Sequence, residues 1–294
     1  MAPRQFGTAS ETATLNRVMI KHAKDAFVDQ ATLDASWRAL NYIAKPEFDA
    51  ACRESDAFIA LLEKLGCSVE GAPATPRVGP DSIYVHDPVI VTPRGAVLCN
   101  MGKAARSLEP AALRSALKAS GLPILGSIKG AGTVEGGDVV WLDDGTVAIA
   151  DGYRTNAEGI RQFTALVGKD VKEVITVPLP HWNGPGDVLH LMSFISPIAP
   201  DLALVYSRLM PVPFRNRLLD AGIRLVEVPD EEYDSMGCNV LAVRPGICVA
   251  IDGNPKTRRR LEAAGCTVHT YQGQHISAPG CGGPTCLTRP LARA

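Results

Sequence analysis

Five times in this 294-residue chain a helical run closes on a glycine and a short β-rich stretch follows. Leu62 to Gly66 precedes Cys67-Ser-Val69, Leu117 to Gly121 precedes Leu122-Pro-Ile124, and Phe163 to Gly168 precedes Val171 to Val177; Leu218 to Gly222 precedes Ile223 to Val228, and Leu261 to Gly265 precedes Cys266-Thr-Val268. Glycine after a helix's last turn supplies the left-handed conformation that ends it. The stretches between these closures are also alike, each reading as two strands around a tight turn. Ile90 to Leu98 turns at Pro93-Arg-Gly95, Val139 to Ile149 at Asp143-Asp-Gly145, Val240 to Ala250 at Arg244-Pro-Gly246, and Leu189 to Tyr206 more loosely near Pro197 to Asp201. Equivalent points lie roughly 43 to 55 residues apart. A hairpin, a helix and a third strand recurring in one order is a repeat, beyond the alternation of any α/β protein.

Four units are complete. The fifth begins at Pro284-Thr-Cys286-Leu-Thr, and the chain stops eight residues after Cys286. Its missing strand and helix must therefore come from the N-terminus, where Val18-Met-Ile20 and Phe48 to Gly66 fit. The predicted fold is α/β, a pseudosymmetric five-bladed α/β propeller whose ring is closed by the N-terminal segment and has no loose sheet edge. Length alone suggests two domains at ~150 residues each; the repeats instead predict a single domain over 1–294. Residues of about 28–46, including Trp37, Asn41 and Tyr42, read as an inserted loop or lid.

Aligning the units puts one polar residue at the mouth of each first strand. These are Asp87 before Pro88-Val-Ile-Val91, Glu135 before Gly136-Gly-Asp-Val139, His190 before Leu191-Met-Ser193, Asn239 before Val240-Leu-Ala242, and Cys286 before Leu287-Thr288. In a closed ring these positions converge on one axis. Each also has an ordinary structural reading. A cysteine is most often a small buried hydrophobe, and seven of the eight here are read so. Cys286 differs because Gly282-Gly-Pro284 precedes it, a segment without bulk that a ligand can approach closely. His190 lies in the apolar run Val188 to Met192, where structural histidines are common, yet its register matches that of Cys286. The glycines of Glu135-Gly-Gly-Asp138 could make a turn; they also bring backbone N–H groups near a ligand. His22, His181, His269 and His275 share no such register and are assigned to surface or core.

Two carboxylates beside a Cys/His pair constrain the substrate. Crowded carboxylates raise each other's pKa unless a cation separates them, and a planar guanidinium satisfies both through paired hydrogen bonds. A thiolate beside that cation would attack its central carbon, and the bound charge would favour the thiolate. Residue chemistry alone thus points to covalent catalysis at a guanidinium or amidinium.

At these residues the chain resembles the guanidino-modifying penteins and, within them, the dimethylarginine dimethylaminohydrolases. Asp81-Ser-Ile-Tyr-Val-His-Asp87, Glu135-Gly-Gly-Asp138, Arg154-Thr-Asn156, Leu189-His-Leu191 and Gly282-Gly-Pro-Thr-Cys286 occur in that family's order through nearly the whole chain. The resemblance implies a hydrolase that converts an N-omega-methylated arginine to citrulline and methylamine or dimethylamine. Cys286 would attack the guanidinium carbon, and His190, oriented by Glu135, would protonate the departing amine and then activate water on the thiouronium intermediate. It further implies Asp87 as guanidinium clamp, Asp81 as the holder of the amino-acid ammonium, and Arg106 and Arg154 as carboxylate clamps. Two positions depart from the pattern. Relatives that deiminate free arginine or transfer amidino groups carry His-x-Asp, where this chain has Met192; and His86 stands where the family commonly has an acid before the aspartate, so His86 enters the candidate substrate-binding set.

The alternatives are an arginine deiminase or amidinotransferase acting on another guanidino compound, and, in another class, a non-catalytic propeller such as a ribosome anti-association factor. The formal net charge of -1, from 30 Lys+Arg against 31 Asp+Glu, lacks the basic footprint of an RNA binder. A papain-type protease lacks its local signature around Cys286. No Cys-x-x-Cys pair suggests zinc, no phosphate-binding glycine loop opens a helix, and the mechanism needs no metal, so no cofactor is expected. No window approaches ~18 uninterrupted apolar residues, and the expected setting is cytoplasmic, with a small guanidino substrate and no nucleic-acid or membrane partner. A homodimer is compatible with this reading.

Overall fold

The protein is described by a computed structural model covering residues 6–294. The chain opens with β1 (Leu15–Ile20), α1 (Ala23–Phe27), α2 (Gln30–Ser36), α3 (Phe48–Lys64) and β2 (Ser68–Gly71). The next unit is the hairpin β3 (Val89–Thr92) and β4 (Gly95–Leu98), helix α4 (Glu109–Ala119) and strand β5 (Ile124–Ser127). Then come β6 (Val139–Trp141), β7 (Thr146–Asp151), α5 (Ala157–Val167) and β8 (Glu173–Pro178), followed by β9 (Ile195–Ala199), β10 (Leu202–Val205), α6 (Val212–Asp220) and β11 (Arg224–Glu227). The last are β12 (Val240–Arg244), β13 (Ile247–Ile251), α7 (Pro255–Ala263), β14 (Thr267–Tyr271) and β15 (Arg289–Arg293).

These strands form five three-stranded sheets, each with an antiparallel pair and a parallel third strand. The sheet that joins the chain ends follows the same rule: β15 runs antiparallel to β1, and β2 parallel to it. The middle strands are almost wholly buried, as apolar runs such as Leu202-Ala-Leu-Val205 and Ile247-Cys-Val-Ala-Ile251 require. The third strands are half-buried. Each crossover helix buries one stripe, for example Ile160, Phe163 and Val167 of α5 or Phe214 and Leu218 of α6. All five glycines that end these helical runs have positive φ, from 55° at Gly168 to 95° at Gly66 and Gly265, as the sequence pattern requires.

Hydrogen bonds also link each unit to the next. Gly136 N–H donates to Asp87 O, and Leu191 N–H to Asp138 Oδ1. Ser196 Oγ donates to Cys238 O, Arg293 Nη1 to Ala242 O, and Arg289 Nη2 to His86 O.

Two expectations need correction. Strand β5 begins at Ile124 rather than Leu122, with Pro123 O accepting the Ala96 N–H of the neighbouring strand at 2.8 Å just before it. Of the polar register residues, Asn239 abuts its strand, β12, and the other four do not. Single 3₁₀ turns, Gly136–Asp138 and Leu191–Ser193, stand between Glu135 and β6 and between His190 and β9, and β15 starts only at Arg289. At His190 the turn is held by its own backbone N–H, which Ser193 Oγ accepts at 3.0 Å.

Residues 28–46 are not wholly irregular, since α2 lies among them with Asp29 Oδ1 capping the Thr32 N–H at 2.7 Å. The segment is tied across the surface: Asn41 Nδ2 donates to Gly186 O at 3.1 Å and Ile43 N–H to Pro279 O at 2.8 Å. Among the described residues no helix is long and apolar enough to cross a membrane.

Candidate active site

The unit-to-unit links bring Asp87, Glu135, His190, Asn239 and Cys286 to one end of the sheets. His190 Nε2 and Glu135 Oε2 are 2.8 Å apart. The same oxygen accepts from Arg154 Nη1 at 3.0 Å, while Oε1 accepts the Lys103 backbone N–H at 3.1 Å. Glu135 is fully buried. Burial alone would raise its pKa, but the His190 hydrogen bond and the charges of His190 and Arg154 outweigh it and hold the carboxyl below its ordinary range. On His190 burial disfavours the imidazolium, yet Asp138, Asp87 and Glu135 prevail and raise its pKa to about 9.

Asp87 lies across from the other ring nitrogen, with Oδ1 at 3.9 Å from His190 Nδ1. Its carboxylate accepts the Gly137 N–H at 3.1 Å and Arg106 Nη1 at 2.5 Å. Opposing its burial, Arg106 and the two nearby imidazoles hold Asp87 ionised. Arg106 is itself anchored by Glu109 through Nε and Nη2 and by Tyr84 O at 2.9 Å. Burial pushes Glu109 up to about 7.

Cys286 is half-buried, and Asn239 Nδ2 donates to its sulfur at 3.3 Å. Asn239 is oriented in turn by the Thr285 N–H on its Oδ1 at 3.1 Å. Burial and the Asp87 charge push the thiol up to about 12, against the opposing Asn239 and Gly283 hydrogen bonds and the Arg106 charge. At rest the sulfur is therefore a thiol beside an ionised acid, a state that an arriving cation would reverse.

Two glycine positions show how closely the chain approaches itself here. A Cβ on Gly137 would lie 2.5 Å from His190 Nδ1 and 3.0 Å from Asp87 Oδ1. One on Gly282 would lie 2.2 Å from the Tyr84 ring. These contacts make the bare segments a steric requirement, not merely turn residues.

These groups open on a cavity of about 90 Å³ lined by Asp81, Asp87, Arg106, Arg154, His190 and Cys286. Of the eight residues given a catalytic or substrate-binding role from the sequence, seven thus meet, with Glu135 directly behind His190 and Arg154. His86 does not line the cavity. It is buried behind Asp87, where Nδ1 donates to Thr288 O at 2.8 Å and burial drives its pKa well below the ordinary value.

Three further residues at the site, Lys103, Thr155 and Asp138, carry no catalytic or binding role in the sequence reading. Lys103 enters the cavity and places its ammonium 2.7 Å from Asp81 Oδ2. Thr155 and Asp138 brace the floor: Thr155 Oγ1 donates to Asp138 Oδ2 at 2.6 Å and accepts the Glu135 N–H, while burial lifts Asp138 to about 6. Asp138 was visible within the acidic motif, but nothing in the repeat register marks Lys103. Cys281 also lines the cavity, at a φ of 56°, so it is not one of the packing thiols. The nearest approach to a metal-ligand set among the described residues is Asp87, Glu135 and His190. Both of its carboxylates already have guanidinium partners.

Comparison with known proteins gives this geometry its family. The family described as N,N dimethylarginine dimethylhydrolase, eukaryotic, matches residues 3–293. The chain belongs to the dimethylarginine dimethylaminohydrolase family. Among curated relatives, the N(G),N(G)-dimethylarginine dimethylaminohydrolase of Pseudomonas aeruginosa is 27% identical over 232 residues, spanning 78% of this chain and 84% of that protein. An arginine deiminase of Rhodococcus erythropolis is 30% identical over 192 residues, or 54% of this chain. The chain spans about half the length of the curated arginine deiminases it matches, at 46% of that protein. Among solved structures, a dimethylarginine dimethylaminohydrolase adduct with S-methyl-L-thiocitrulline superposes with a TM-score of 0.76 at 23% identity, covering 94% of this chain and 99% of that one. The amidinotransferase SxtG of Microseira wollei reaches 0.79 at 16% identity, covering 98% and 97%. The family's α/β fold of small sheets is thus shared with proteins of several guanidino chemistries.

Proposed function

We propose that this family member is a hydrolase of N-omega-substituted guanidines, for which N-omega-methylated arginines are the reference substrates, working through a thiouronium on Cys286. The observation that carries this reading is the joint placement of Cys286, Asp87 and the His190–Glu135 pair around one cavity. The guanidinium sits against Asp87, which Arg106 and the Gly137 N–H hold ionised and in place. Its charge offsets the repulsion between Asp87 and a sulfur anion, lowering a thiol pKa that stands at about 12 in the empty site. The thiol proton is released to solvent as the cation binds, and the sulfur anion then attacks the guanidinium carbon and forms a tetrahedral adduct.

His190, still protonated because its pKa is raised to about 9, gives a proton to the substituted nitrogen. That C–N bond breaks, the amine leaves, and a thiouronium remains on Cys286. The imidazole then takes a proton from water as the water oxygen adds to the same carbon. Collapse breaks the C–S bond, releasing the ureido product and regenerating the thiol. Glu135 keeps the imidazole oriented and stabilises its charged form, while Arg154 and the Lys103 N–H fix Glu135. Arg154, with one hydrogen bond among the described residues, is the freer clamp for a substrate carboxylate; Arg106 shares that task while holding Asp87.

The scaffold reading belongs to the same proposal. The five sheets form one propeller domain, and the bonds running from unit to unit and back from Arg289 to His86 support closure of the ring. Residues 28–46 serve as the lid, since Leu40, Asn41 and Ile43 line the cavity. Match to an arginine deiminase favours deimination as the second reading.

Intact-mass measurement after incubation with a panel of substituted guanidines tests the reading. The expected result is an amidine-sized mass increase that maps to Cys286 and is lost in Cys286→Ser. Ammonia from free arginine as the principal product would instead establish the second reading.

A further inference from the structure

The cavity holds charged groups that the proposed chemistry does not use: Asp81, Lys103 and Asp187. Lys103 places Nζ 2.7 Å from Asp81 Oδ2 and donates to Leu40 O at 2.8 Å. An aspartate and a main-chain carbonyl converging on one point form a cradle for an ammonium ion, and here the chain's own lysine fills it. Its position is set by its backbone, because the Lys103 N–H is bound to Glu135 Oε1. The preceding Gly102 packs against the Arg154 backbone, where a Cβ would fall 2.6 Å from Arg154 Cα and O, so this stretch cannot readily swing outward. Lys103 is mostly buried and Asp81 nearly wholly so, with side-chain exposures of 19% and 6%.

The charges deeper in the cavity pair off: Asp81 is matched by Lys103, Asp87 by Arg106, and Glu135 by Arg154. Asp187, in the loop that also lines the cavity, accepts from Asn183 Nδ2 and the Val188 N–H instead. With Asp81 neutralised, an ammonium on the substrate's tail would meet the Lys103 cation in the cradle between Asp81 and Leu40 O. A tail carboxylate would find Lys103 and the spare N–H groups of Arg154 facing the same cavity. Like charges brought together on binding select against a ligand as effectively as a missing contact does.

We propose that Lys103 is the specificity-determining residue for the tail: it fills the ammonium cradle itself, so the preferred substrate is a substituted guanidine ending in a carboxylate and carrying no ammonium. The inference rests on the hydrolase reading for its guanidinium end, but binding can be measured without turnover.

In a Cys286→Ser background, calorimetry would compare N-omega,N-omega-dimethylarginine with its des-amino counterpart, 5-(N,N-dimethylguanidino)pentanoate. The des-amino acid is expected to bind at least tenfold more tightly. Adding Lys103→Met, which keeps the stem and vacates the cradle, is expected to reverse the preference, whereas Lys103→Arg retains it. Equal binding of the two ligands, tighter binding of dimethylarginine with Lys103 present, or binding of neither would overturn the assignment. The first comparison needs no Lys103 variant, so a folding defect in Lys103→Met cannot obscure it. Failure here leaves a Cys286 adduct intact, and absence of that adduct leaves the binding order readable.

Discussion

The floor and the mouth of the cavity are built on different principles. Asp87, Glu135, His190, Asn239 and Cys286 on the floor occupy one equivalent position in each of five units, and hydrogen bonds between units fix their spacing. The mouth has no such order. Leu40, Asn41 and Ile43 come from the segment before α3, Lys103 from the connection between β4 and α4, and Gly186 to Val188 from that between β8 and β9. Repetition thus places the reacting groups, while loops of individual length and sequence decide what else the cavity admits. A protein built this way can keep its bond-breaking chemistry while its tail selectivity changes, because the two sets share few contacts. The exceptions are Lys103, touching Glu135 with its backbone and Asp81 with its side chain, and the two proposed carboxylate clamps, Arg154 and Arg106, which also bind Glu135 and Asp87.

The sharpest way to separate the two is to damage the floor alone. Glu135→Gln keeps the shape but removes the charge that sustains the His190 imidazolium and accepts from Arg154. A loss of about 10²- to 10⁴-fold in kcat is expected, the usual worth of a positioned acid–base. KM for a tail-bearing substrate should change far less. Steady-state kinetics would show it; a loss confined to KM would mean that Glu135 belongs functionally to the mouth.

The next effect is read from pH. In the free enzyme Cys286 stands at about 12 and His190 at about 9, so below pH 9 both are protonated. The reactive pairing of thiolate with imidazolium has one proton fewer, so kcat/KM should rise about tenfold per pH unit from pH 6 toward 9. In Glu135→Gln the limb should level off at lower pH, since one of the acids raising His190 is gone. Initial rates at low substrate concentration measure this directly. A flat profile between pH 6 and 9 would mean a thiolate already present in the empty site, contrary to the burial of Cys286 beside Asp87.

The same division explains what the amino-acid sequence discloses. Helix-ending glycines and hairpin turns are local, so the five units and the meeting of Cys286 with His190 follow from register alone. The 3₁₀ turns before β6 and β9 are not so legible, because Gly136-Gly-Asp and Leu191-Met-Ser are compatible with either a turn or extended strand. His86 illustrates a different limit. Adjacency to Asp87 suggests a place in the cavity, but successive side chains diverge, and the imidazole turns instead to Thr288 O. Lys103 was illegible for the converse reason: its partners Asp81 and Leu40 are distant in sequence, and no periodicity connects them.

The smallest expected effect probes the mouth alone. Asn41 adopts φ 65° and donates through Nδ2 to Gly186 O, bridging two loops above the cavity without touching the floor residues. Asn41→Gly retains the left-handed backbone at little cost and deletes only that bridge, whereas alanine would add strain. One exposed hydrogen bond is worth about 1 kcal/mol, which corresponds to roughly a fivefold weaker hold on the closed arrangement. KM should therefore rise two- to fivefold with kcat unchanged, and the 28–46 segment should be cut faster by a protease in the empty enzyme but be protected again by saturating ligand. If kcat fell in step with kcat/KM instead, the bridge would be shaping the floor, and the separation between reacting groups and selecting loops would not hold at this point.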